Sequence, residues 1–78
     1  MPRIILRPDH IASIQKELKQ SKGVDFTTSN QEAVFSMLKY WCREKAKGRA
    51  DVESVTQKED RFLVVGNSDF LTALQSAL

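Results

Sequence analysis

Ala33, Val34, Met37, Leu38 and Trp41 fall on one face of a helix when successive residues are set about 100° apart, and Phe35 and Cys42 widen that face towards half the circumference. One flat contact cannot cover an arc this broad. A chain of 78 residues buries only about 60% of the surface its unfolded form exposes. In such a chain the helix is either the centre of the core or is shared with a second subunit, and a homodimer is therefore expected. Cys42 is the only cysteine, so no internal disulfide supports the fold, which rests on apolar burial as in a reducing compartment. The cytoplasm is the expected location.

The length allows a single small domain over residues 1–78. With 41% hydrophobic and 28% charged residues, the composition suits an ordinary globular chain and excludes disordered and fibrous classes. Ile4-Ile5-Leu6 is the only apolar run near the start. It is far short of a signal-peptide core, and no stretch approaches the roughly 18 residues of a membrane helix, so neither secretion nor a membrane partner is expected.

Around the central helix the pattern alternates between strand and helix signals. Residues 3–7, Arg-Ile-Ile-Leu-Arg between Pro2 and Pro8, predict a short edge strand. Asp9 is then a good N-cap for an amphipathic helix over 9–21 with Ile11, Ile14 and Leu18 on its stripe, ending near Gly23. Residues 24–27, Val-Asp-Phe-Thr, read either as a short strand or as a connection whose apolar side chains plug the core. Ser29-Asn30-Gln31-Glu32 has the capping-box spacing and predicts the start of the central helix, which runs over about 30–47 with Gly48 beyond it. Residues 52–57 and 61–65 form a hairpin around Lys58-Glu59-Asp60, and a last helix begins near 69, with Phe70, Leu71, Leu74 and Leu78 together.

Motifs of reaction chemistry are missing. There is no glycine-rich phosphate loop, nucleophile elbow or metal-ligand cluster, so no enzyme activity, metal, cofactor or small-molecule substrate is expected. His10 reads as an exposed polar residue of a first helical turn and Cys42 as a small buried hydrophobe. Phe35, Tyr40 and Trp41 interleave with Lys39 and Arg43 as in a base-stacking platform, but Trp41 lies within the apolar arc, which favours core packing. Charge is more informative. Residues 1–49 carry ten Lys/Arg against five Asp/Glu, a net of +5, and residues 50–78 carry two against five, a net of −3. An anionic partner is therefore sought on the first half.

Taken together, residues 1–8, the helix from Asp9, and residues 29–41, Ser-Asn-Gln-Glu-Ala-Val-Phe-Ser-Met-Leu-Lys-Tyr-Trp, resemble the ribbon-helix-helix regulators of the Arc and MetJ kind over residues 2–47. That resemblance implies a homodimeric transcriptional regulator whose N-terminal strand pairs with its copy and enters the major groove of duplex DNA. It would place Ile4 and Leu6 in the dimer core and Arg3, Ile5 and Arg7 against base edges, while the amides of Ser29, Asn30 and Gln31 would hold a phosphate. The alternative is a single two-layer α+β domain in which residues 3–7, 24–27, 52–57 and 61–65 share one sheet. Such a domain is a non-enzymatic module that binds another protein.

Overall fold

The computed structural model of the chain describes residues 2–26 and 30–77. Its elements run β1 (Arg3–Leu6), α1 (Pro8–Lys22), α2 (Gln31–Ala46), β2 (Val52–Lys58), β3 (Arg61–Gly66) and α3 (Ser68–Ala77). The three strands form one antiparallel sheet in the order β1-β3-β2. This is the mixed α+β layout expected, and of the two architectures considered it has the single sheet. The partner of β1 is β3 of the same chain, with Ile4 opposite Val64 and Leu6 opposite Phe62.

Alternation along each strand sends one set of side chains under the helices. Leu6, Phe62, Val64, Val52 and Val55 are buried there, with Ile4 partly so. Val52 and Val55 are three apart, which in a regular strand would place them on opposite faces. An irregularity in the β2–β3 register between Val52 and Ser54 turns both inward. Ile11, Ile14 and Leu18 of α1 and Phe70 and Leu74 of α3 close the same core.

The apolar arc of α2 is central to this core. Val34, Met37, Leu38, Trp41 and Cys42 are all buried within one chain, so the arc itself does not call for a second subunit. Trp41 is where the three helices meet: its ring meets Phe70 edge-on with centroids 6.2 Å apart, and its Nε1 donates to Glu17 Oε2 at 3.3 Å.

Two helix starts differ from the sequence expectations, and the open reading of residues 24–27 falls to a connection over its described part. Arg7, in extended conformation, is the N-cap of α1, with Pro8 in the first turn and Asp9 one residue inside. Proline suits that position because its missing N–H lies among the amides that have no intrahelical partner. The cap of α2 is Asn30, whose side chain accepts from the Ala33 N–H at 2.9 Å. Asn caps as well as Ser, and a start one residue later moves Glu32 out of capping-box position; Ser29 lies outside the described residues. Residues 24–26 form no strand. Phe26 instead packs against Tyr40, with centroids 5.6 Å apart, and Thr27 lies outside the described residues.

At its other end α2 stops at Ala46, with Lys47 in left-handed conformation at φ 52° and Gly48 following at φ 87°. A Cβ makes that conformation costly. Lys47→Gly is expected to raise stability by about 0.5–1 kcal/mol, read as a higher denaturant midpoint at unchanged slope; a lower midpoint would mean that the lysine side chain contributes more than its backbone costs.

Candidate interface on the open sheet face

All three helices cover one face of the sheet, and what the other face carries follows from the strand register. Ile5 pairs with Leu63 and Arg3 with Val65, while Thr56, Ser54 and Lys58 pair with Leu63, Val65 and Arg61. Arg7, at φ −89° and ψ 164°, continues the extended run and keeps the alternation, so it flanks Arg61. The outward face is thus three rows deep. Arg7, Arg61 and Lys58 make the first row, Ile5, Leu63 and Thr56 the second, and Arg3, Val65 and Ser54 the third.

Four of these nine positions are cationic and none is acidic. Like charges directly opposite across strands are destabilising, by a few tenths to about 1 kcal/mol per pair. Among the described residues only weak, exposed ion pairs relieve the first row, Arg7 with Asp9 at 3.7 Å and Arg61 with Asp60 at 3.9 Å. Lys58 and Arg3 have no ion pair among the described residues. The turn at this end carries a second local cost, because Glu59 sits at φ 57°, where a two-residue hairpin loop favours Gly or Asn. Ile5 is 55% exposed, the most exposed large apolar side chain described. Together with Lys58, Glu59, Asp60, Arg61 and Leu63 it lines an open cleft of about 650 Å³.

Arg3, Ile5 and Arg7 therefore share one exposed surface, as their alternation implies. Asn30 and Gln31 are not part of it. Gln31 Oε1 accepts from the Gln57 N–H of β2 at 2.9 Å, which fixes the start of α2 at the opposite edge of the sheet from β1. Within one chain, Arg3, Ile5 and Arg7 are not brought together with Asn30 and Gln31, the described part of the phosphate-contacting set that the resemblance implies. Lys58, Arg61 and Leu63 were missed in the sequence. Their signal was the two-sided apolar character of residues 62–65, which marks a central strand, followed by the question of what flanks its outer side.

The remaining candidates are occupied in the core or in surface pairs. Burial pushes the Cys42 thiol up to about 11, which leaves it protonated and unreactive near neutrality. Trp41 is fully buried, and Lys39 Nζ sits 5.5 Å over the Phe35 ring while pairing with Asp51 at 2.7 Å. That bond from Lys39 holds the Asp51 carboxyl below its ordinary value, as Lys45 does for Glu17. His10 Nδ1 accepts from the Arg7 N–H at 3.4 Å, a local contact at the start of α1.

Among the described residues no group of His, Cys, Asp or Glu is arranged to hold a metal ion, and no helix is long and apolar enough to cross a membrane. No family model matches the chain, and no curated protein or solved structure matches it.

Proposed function

We propose that the chain is a non-enzymatic binding module, acting in a reducing compartment such as the cytoplasm, whose open sheet face docks an acidic protein segment with an apolar residue at its centre. The observation that carries this reading is the bracketing of Ile5 and Leu63 by Arg7, Arg61 and Lys58 on one side and by Arg3, beside Val65, on the other. A phosphate backbone would neutralise the cations and press charge against the apolar row. An amphipathic acidic segment satisfies both.

Duplex DNA is the second reading, favoured by the same four cations and by the ribbon-helix-helix resemblance. Width counts against it. The major groove, about 12 Å across, admits a helix or a two-stranded ribbon, whereas the outer strands of this sheet lie about 10 Å apart between axes, before backbone and side chains are added. A homodimeric ribbon would also require β1 to pair antiparallel with its copy, and centring that pairing on Ile5 sets Arg3 opposite Arg7.

Arg61 sits between two cations, so Arg61→Glu is expected to raise stability by about 0.5 kcal/mol while weakening binding of a labelled Glu-Thr-Val-Thr-Glu peptide by about tenfold or more. Fluorescence anisotropy against this peptide and against a random-sequence duplex, across a salt series, separates the two readings. Unchanged peptide binding in the variant would remove Arg61 and the part of the face beyond β1 from the site, and tighter binding of the duplex than of the peptide would favour DNA.

A further inference from the structure

Backbone as well as side chains is left open along β1. The Gly66 N–H donates to the Pro2 carbonyl at 3.1 Å. In an antiparallel ladder, hydrogen-bonded and non-bonded pairs alternate, so Ile4 and Leu6 are the β1 residues that bond β3, and the N–H and C=O of Arg3 and Ile5 point away from the sheet. Arg7 differs: its N–H goes to His10 Nδ1 and its carbonyl accepts from the His10 and Ile11 amides of α1. The opposite edge of the sheet is treated otherwise. There the Gln57 N–H is taken by Gln31 and the Val52 N–H by Asp51 Oδ1.

Resting on the protein-binding reading above, we infer that the free edge of β1 accepts an extended acidic–x–apolar–x–acidic segment of a partner protein as a fourth strand of the sheet. Main-chain bonds from Arg3 and Ile5 would hold the segment, and strand addition of this kind draws specificity from alternate side chains. In register, its apolar residue lies opposite Ile5 and its two acids lie opposite Arg3 and Arg7. Pro2 and Pro8 bound the edge, which limits the added strand to about five residues, the length of that pattern.

Charge chooses the occupant. Cations and flanking prolines are what an edge uses to repel further copies of itself, and a second chain centred on Ile5 would oppose Arg3 to Arg7. An acidic strand reverses both interactions into attraction.

The test uses the full chain and three labelled peptides: Glu-Thr-Val-Thr-Glu, the same peptide with an N-methyl group on its valine, and Lys-Thr-Val-Thr-Lys. The acidic peptide is expected to bind, N-methylation to weaken it by about tenfold or more, since a main-chain donor is lost and a methyl enters the ladder, and the lysine peptide not to bind. The double variant Arg3→Glu, Arg7→Glu should exchange the two preferences; both sites are exposed, and circular dichroism confirms that the variant folds.

If the N-methylated peptide binds within about twofold of its parent, strand addition is wrong while the open face remains a docking surface. If no acidic peptide binds, both the edge and the face readings fail. Association of the chain with itself through Arg3 and Ile5, or displacement of the peptide by a duplex that the double variant no longer binds, would overturn the inference in favour of a second copy or of DNA.

Discussion

Trp41→Ala is expected to leave the chain at the margin of folding, with a loss of about 3–5 kcal/mol. The whole stability of a domain this size is only about 4–12 kcal/mol. The effect is large because the ring is fully buried where α1, α2 and α3 converge. Its removal deprives Phe70 of an edge-on partner, takes the indole donor from Glu17, and opens a cavity that three helices would have to close together. Thermal unfolding followed by circular dichroism should show a midpoint lower by about 15–30 °C, or no cooperative transition. Trp41→Phe keeps most of the volume and should lose much less. If alanine and phenylalanine cost the same, the indole–Glu17 bond rather than the filled volume would be the dominant contribution.

The second large effect is expected at Gly66, where β3 passes into α3. A Cβ built there would lie 2.5 Å from Phe70 Cδ2 and 2.8 Å from the Asp51 carbonyl. Neither neighbour can yield cheaply. Phe70 is fully buried, and the Asp51 carbonyl accepts from the Asn67 N–H at 3.1 Å, a bond that closes the segment before β2 onto the end of β3. Gly66→Ala is expected to cost about 3 kcal/mol. Gly23→Ala is the comparison, since nothing lies within 4 Å of a Cβ there and only its φ of 69° opposes the change; its cost should be about 1–2 kcal/mol. Equal losses at the two glycines would show that backbone conformation, and not the approach of Phe70, makes Gly66 necessary.

The order of strands and helices was legible in the sequence because each element announces itself locally. Ile11, Ile14 and Leu18 recur at helical spacing, Pro8 and Gly23 bracket their helix, and a polar turn separates two strands of β-branched and aromatic residues. Boundaries were less legible. Pro8 looks like a stop for the strand before it, yet it is also a first-turn residue for the helix after it, and adjacent Ser29 and Asn30 compete as caps on nearly equal terms.

What could not be read from local pattern is which strand stands beside β1. Ile4 and Leu6 would face an apolar core whether the partner was β3 or a second chain, and the pairing joins residues about sixty positions apart. The candidate interface inherits that ambiguity. Arg3, Ile5 and Arg7 were visible as an alternating exposed set, but their neighbours Arg61, Leu63 and Lys58 become part of the surface only once β3 is known to lie alongside.

Amide hydrogen exchange along β1, resolved residue by residue by NMR at low and at high protein concentration, therefore bears most directly on this arrangement. Pairing with β3 within one chain should protect the amides of Ile4 and Leu6 and leave those of Arg3 and Ile5 exchanging almost as fast as in an unstructured chain, at both concentrations. Protection of Arg3 and Ile5 that grows with concentration would instead place a second copy on the edge, and fast exchange at all four positions would show that β3 does not hold β1; either result contradicts a one-chain sheet with a free cationic edge.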